Sequence, residues 1–299
     1  MSNNNLNPPH QSPVVPNMLT DDSNLRFRCH KDIACFNACC KNIDITLAPY
    51  DILRLQQHLN MSSAEFLNKY TLPFEMDAQG LPGVKLKPVE GGTACQFMTD
   101  EGCSVYEDRP TSCRYYPLGL LSIRKKDSSV DEQSYAMVEE EHCLGHKEDR
   151  EQTVAEYRQE QGLEDYDKYT RGWRQLILKK KSAGPSIGAP SKHSLQLFFM
   201  ASYNIDQFQN FVLSDQFQAS FKLEPELVEQ LKTDQLAVIE FGVRFLKQVL
   251  FGEKTIEENE NAHEAREAHL KKRAEETREL ARHEAEAAAA KARAERENG

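Results

Sequence analysis

The sequence predicts an α+β fold: a small cysteine-rich domain of short strands and helices, followed by helical segments and a long charged C-terminal helix. Three observations carry this. All eight cysteines lie between Cys29 and Cys143, and the second half of the chain has none. The same region alternates turn residues with short strand-like and helix-like runs. Beyond it, apolar residues recur at helical spacing, and the chain ends on a run dominated by Glu, Ala, Arg and Lys.

At 299 residues the chain has room for one or two domains with real cores. A net charge of −10 and a pI near 5.5 argue against a general binder of nucleic acid or anionic membrane, because phosphate contacts need a basic surface. No run reaches the roughly eighteen apolar residues of a membrane span. The start, MSNNNLNPPHQSPVVPNML, lacks the basic block and apolar stretch of a secretory signal. The expectation is a cytoplasmic protein with no nucleic-acid or membrane partner, whose helical C-terminal half is open to a protein partner.

Residues 1–24, rich in Asn, Pro and Ser, read as a disordered lead-in, with order beginning at Leu25 to Phe27. The cysteine-cluster domain runs over 25–180. Its first stretch, CHKDIACFNACC, sets Cys29, Cys35, Cys39 and Cys40 within a dozen residues. Thiolate binds zinc and iron–sulfur clusters best among side chains, and tetrahedral sulfur sites take four. A disulfide framework needs an oxidising compartment, and some buried cysteines act simply as small hydrophobes. The clustering points to metal, as zinc or an iron–sulfur cluster, without choosing between them. Gaps of five and three residues are not the C-x-x-C of a zinc ribbon. In extended chain the Cys39–Cys40 doublet would point to opposite sides, feeding two sites or one site and the core. A disulfide between direct neighbours would be strained. Arg28, Lys31 and Lys41 flank the thiols, either to lower their pKa values or as ordinary solvated groups.

Asp44, Thr46 and Pro49 announce a helix with Ile52, Leu53, Leu55 and Leu59 on its apolar face. Ser62 with Glu65 fits a capping box for a second helix carrying Phe66, Leu67 and Tyr70. His58, among polar residues, reads as a surface histidine. Gly80, Pro82 and Gly83 mark a turn before a strand-like VKLKPV. Asp100 to Gly102 supplies a turn between the arms bearing Cys95 and Cys103. Pro110 and Pro117 bracket Cys113 and limit that segment to a turn or short helix. Arg109 and Arg114 lie beside thiols, either to offset thiolate charge or, for Arg109, to hold the loop through a carboxylate. LGLLSIRK and QSYAMVEEEHC read as two further strands ending at Cys143, with His142 and His146 alongside, either as second-tier ligands or, as is commoner for lone histidines near a turn, as hydrogen-bonded surface groups.

These motifs together, from CHKDIACFNACC through LAPYDILRLQQHL, EFLNKY, Cys95, Cys103 and VYEDRPTSCRYYPLG to HCLGH, resemble the YkgJ-type cysteine-cluster family, also called CxxCxxCC. The similarity runs from about Phe27 to about Trp173. The family is regarded as zinc- or iron-chelating. The resemblance implies metal binding by Cys29, Cys35, Cys39, Cys40, Cys95, Cys103 and Cys113, with Cys143 as a further ligand candidate. The first gaps here are longer than those in the family name, so the arrangement of the first ligands differs. Flagellin lysine-N-methylases are similar at the cysteine motif. That similarity sets an iron–sulfur-dependent enzyme acting on a protein side chain beside the plain chelator as the alternative.

After Cys143 the chain turns helical, with Tyr157, Tyr166, Tyr169 and Trp173 as packing aromatics. Residues 181–192, with Gly, Pro and Ser, read as a linker. Residues 193–252 form a helical region whose two long apolar-faced runs are expected to pack as a hairpin on the cysteine domain. Residues 253–299 read as a charged helical tail without a heptad seam. No Gly-rich phosphate loop, nucleophile elbow or carboxylate pair stands out in this half.

Overall fold

Four small antiparallel sheets and ten α-helices share one apolar core in the computed structural model, which describes residues 14–123, 132–182, 189–260 and 282. The architecture is α+β. The first strand, β1 (Val14–Leu19), lies inside the segment that the sequence reads as a lead-in. It pairs with a later strand at Met18↔Ala136 and Leu19↔Tyr135. Pairing to a partner more than a hundred residues away orders VVPNML, an apolar run inside an otherwise polar lead-in, and the composition of the lead-in as a whole gives no sign of that partner. β2 (Asn24–Arg26) buries Leu25 fully and leads into the cysteines.

α1 (Pro49–His58) starts with Pro at its first turn and buries Tyr50, Ile52, Leu53 and Leu55. Its cap is the carboxylate of Asp51, which accepts from Ala48 N at 2.8 Å. Asp44 instead pairs with Lys85 at 2.9 Å. α2 (Ser63–Tyr70) has the capping box, with Ser62 and Glu65 each accepting the other's backbone N–H. β3 (Thr71–Glu75) and β4 (Pro82–Leu86) form a hairpin in the register Thr71↔Leu86 to Glu75↔Pro82. A smaller hairpin follows, β5 (Met98–Thr99) with β6 (Gly102–Cys103), turning at Asp100–Glu101. Cys113 sits on the short helix α3 (Thr111–Tyr115). β7 (Leu118–Ile123) and β8 (Glu132–Val138) complete the sheet of order β1-β8-β7. β9 (Glu151–Thr153) pairs with β2 and closes the cysteine region end to end.

The helical half is not a separate hairpin. α4 (Val154–Glu160) and α5 (Leu163–Ser182) break at Gly162, which adopts φ +63°. α6 (Lys192–Tyr203), α7 (Ile205–Val212), α8 (Asp215–Ser220), α9 (Pro225–Thr233) and α10 (Gln235–Phe251) follow. They lock onto the cysteine domain by specific bonds as well as by core contact. Ser63 at the start of α2 exchanges hydrogen bonds with Asp206 and donates to Asn204. Tyr203 OH donates to Pro82 O at 3.1 Å, and buried Trp173 Nε1 donates to Ser202 Oγ. The cysteine region therefore does not have the modest core that its short strands suggest, because the helices complete it. Residues 253–260 are not helical: Ile256 is buried, and Lys222 N and Asn259 N bond across to Glu257 O and Ser220 O. The expected charged helix beyond them lies outside the described residues, apart from Arg282, and so does the middle half of the expected linker, residues 183–188.

Candidate metal centre

All eight cysteines carry free thiols, and they come from four separate parts of the chain. Cys29 and Cys39 are exposed; the other six are half-buried. The first loop is stitched to the β5–β6 hairpin. Asn37, at φ 65°, donates its side-chain amide to Thr99 O at 2.9 Å, and Thr93 Oγ1 donates to Lys41 O at 2.8 Å. Between these ties, Cys95 N donates to Cys40 O at 2.8 Å, which fixes one late cysteine beside an early one.

The Cys39–Cys40 doublet lies in a single 3-10 turn, Ala38–Cys40, and not in extended chain. Its sulfurs are 3.9 Å apart and do not point to opposite sides. Cys143 arrives from the other direction. The neighbouring amide, Leu144 N, donates to Cys35 Sγ at 3.2 Å. A cavity of about 40 Å³ is lined by Cys29, Cys35, Cys39 and Cys143, with Tyr116 and His142 on its wall. The Tyr116 hydroxyl is shut off from solvent without a closed hydrogen bond, beside the Cys143 thiol and the Glu140 carboxyl. His146 packs its ring 5.1 Å from that of Phe27.

Gly145 allows this approach. A methyl at its Cα would stand 2.5 Å from the Phe27 ring and 3.0 Å from Arg28 O, while Arg28 N donates to Gly145 O at 3.1 Å. Gly145→Ala is expected to push the Cys143 turn away from the Cys29 strand and destabilise the fold by about 1–3 kcal/mol, as overpacking does. The check is the denaturant midpoint; an unchanged midpoint would mean that the turn yields freely.

The run YEDRPTSCRYYP is the brace behind Cys113. Asp51, fully buried, accepts from Thr111 N at 2.8 Å and Thr111 Oγ1 at 2.6 Å, and so pins the start of α3. Burial pushes the Asp51 carboxyl up, against the pull of these bonds. Asp108 is held by Arg54 and by His58 Nδ1 at 2.8 Å, so His58, exposed at the surface as the sequence predicts, is also a partner of the loop. Burial acts to raise the Asp108 carboxyl, yet these two donors together hold it below the usual range. Arg109 meets no carboxylate: it donates to Tyr106 O and Gln161 Oε1, both at 2.7 Å, over the Tyr106 ring. Arg114, buried, donates to the carbonyls of Arg109, Gln161 and Glu107 and to Tyr166 OH. Both arginines hold the loop, and the sequence alone did not separate that role from charge compensation.

The thiols influence one another. Burial and then the thiolates of Cys39, Cys35 and Cys143 push Cys29 up to about 11, with Arg109 working the other way. Burial raises Cys95, Cys103 and Cys113, and neighbouring thiolates add to it. A hydrogen bond from Cys40 lowers Cys39 to about 7 and in turn raises Cys40. Thiolates that raise one another's pKa are close enough to repel, and a cation among them reverses that sign. Among the described residues, no three Cys, His, Asp or Glu side chains already close on one point. The donor set suits zinc or iron in its chemistry, with sulfurs gathered and left for an ion to draw in.

Among the described residues, no helix is long and apolar enough to cross a membrane. No curated protein and no solved structure matches the chain. Residues 28–144, a little over a third of the chain, match the model of the CxxCxxCC family, a putative zinc- or iron-chelating domain.

Proposed function

We propose that this domain chelates zinc or an iron–sulfur cluster through its clustered thiolates, with Cys29, Cys35, Cys39, Cys40, Cys95, Cys103, Cys113 and Cys143 as the ligands. One observation carries the reading. Cysteines from three distant segments are held beside one another by hydrogen bonds, Cys95 N to Cys40 O and Leu144 N to Cys35 Sγ, where ordinary core packing would ask for no such convergence. Half-exposed thiols at this density resist neither oxidation nor mutual repulsion unless something binds them, and a reducing cytoplasm keeps them available. When bound, the metal supplies the positive charge that the thiolates lack. The protein supplies the placement: Asp51 sets α3, Asn37 sets the first loop, and Gly145 sets the Cys143 turn. Metal binding must displace the protons that the raised thiols hold, so uptake releases acid.

Purification under nitrogen, followed by elemental analysis and an absorption spectrum, tests this. The expected result is zinc or iron in stoichiometric amount, with broad visible absorption in the iron case alone. Protein that stays metal-free after reconstitution with zinc and with iron plus sulfide would remove the proposal.

A further inference from the structure

The eight thiols do not form one ring. Two backbone systems bring them together, and each system gathers its own set. The first joins Cys40, Cys95, Cys103 and Cys113. Cys40 O receives Cys95 N, the β5–β6 turn places Cys103 opposite Met98, and α3 delivers Cys113 from its Asp51 anchor. The second joins Cys29, Cys35 and Cys143. The β2–β9 ladder and the Arg28–Gly145 bond set the Cys29 strand beside the Cys143 turn, and Leu144 N holds Cys35 Sγ. Of the eight cysteines, the small cavity is lined by these three and Cys39.

We infer that the domain holds two adjoining thiolate metal centres: an inner one on Cys40, Cys95, Cys103 and Cys113, and an outer one on Cys29, Cys35, Cys39 and Cys143. The inference rests on the thiolate chelation proposed above and adds the number of centres and their ligands. One tetrahedral ion, or one four-iron cluster, takes four thiolates and leaves four of the eight without a partner. Two such centres use all eight. Cys39 lines the outer cavity, and its sulfur lies 3.9 Å from that of Cys40 in the inner set. The doublet is therefore the seam at which the centres meet. The two differ in access: the outer set contains both exposed thiols, Cys29 and Cys39, while all four inner thiols are half-buried. The outer centre is thus the one that exchanges metal with solution.

Cobalt(II) is the probe, titrated anaerobically into the metal-free full chain, because thiolate-to-cobalt absorption reports sulfur ligation directly. The expected endpoint is two cobalt per chain. Cys103→Ser with Cys113→Ser should bind one cobalt, and Cys35→Ser with Cys143→Ser should bind one as well. Zinc competition in the wild type should release the two cobalt ions in separate phases, a readout that needs no variant. A wild-type endpoint of one cobalt overturns the two-centre arrangement while leaving chelation standing, as does loss of all cobalt in either variant that keeps its helical circular dichroism. No cobalt binding and no thiolate absorption in the wild type would sink chelation itself.

Discussion

Removing the metal with a strong chelator will open the cysteine loops and leave the helices closed. A structural zinc–thiolate site contributes about 10 kcal/mol or more at neutral pH, more than most domains hold in reserve. Here that contribution falls on a restricted part of the molecule. The segments 28–43 and 88–105 have few regular elements; most of their backbone bonds close local turns, and the ties between them and to the Cys143 turn are Ile43 N to Thr93 O, Cys95 N to Cys40 O and Arg28 N to Gly145 O. Behind them, Leu47, Ile52, Leu55, Phe66, Phe198, Phe208 and Phe241 are essentially out of contact with water and need no metal to stay so. Hydrogen exchange should therefore show Cys40, Ile43, Cys95 and Ser104 amides losing protection by a factor of a hundred or more on chelation, about 3 kcal/mol or more of local opening. The α6 and α10 amides should change little. Equal protection everywhere, with and without metal, would mean that the loops stand on their own bonds.

Arg114→Ala will cost about 3–5 kcal/mol, the largest loss expected from a residue outside the thiols. Its guanidinium satisfies three loop carbonyls and the Tyr166 hydroxyl, and it lies 4.2 Å from the centre of the Tyr166 ring. Removing it leaves those acceptors buried without donors. Arg114→Lys should recover little, because a single ammonium cannot reach carbonyls on three sides. The measurement is the urea midpoint at constant m. A lysine variant as stable as the wild type would show that charge alone, and not the fork, holds the loop.

Much of the scaffold was legible because its causes are local. Pro49 at the start of α1, Ser62 with Glu65 at α2, the Asp100–Gly102 turn and the strands at 118–123 and 132–138 each follow from a few adjacent residues. What escaped depends on partners outside the segment itself. β9 is only three residues long and β3 carries Pro73 and Glu75, so propensity does not mark them, and the apolar VVPNML of β1 is hidden in a polar lead-in; pairing marks all three. Likewise the long apolar runs of the second half read as two helices, although Asn204 and Asp234 break them into α6–α7 and α9–α10. At the site, the eight thiols and their attraction for metal were plain from clustering. Their grouping was not, because extended geometry was the wrong guide for the Cys39–Cys40 doublet, and because the bonds that sort the cysteines include the pairing of residues more than a hundred positions apart.

The β2–β9 ladder has a consequence for how the protein is made. Leu25, four residues ahead of Cys29, finds its strand partner only at Gln152. A ribosome adds roughly 5–20 residues per second, so several seconds or more separate the emergence of the first thiol from that of the strand which fixes it. During that interval the early cysteines are loose chain, open to wrong partners, while Cys40, Cys95, Cys103 and Cys113 can already meet. For the two centres proposed above, the order of synthesis would then give metal loading a direction: the inner thiols complete first, and the outer ones wait until the far end of the domain has been translated and has come back to clasp the beginning.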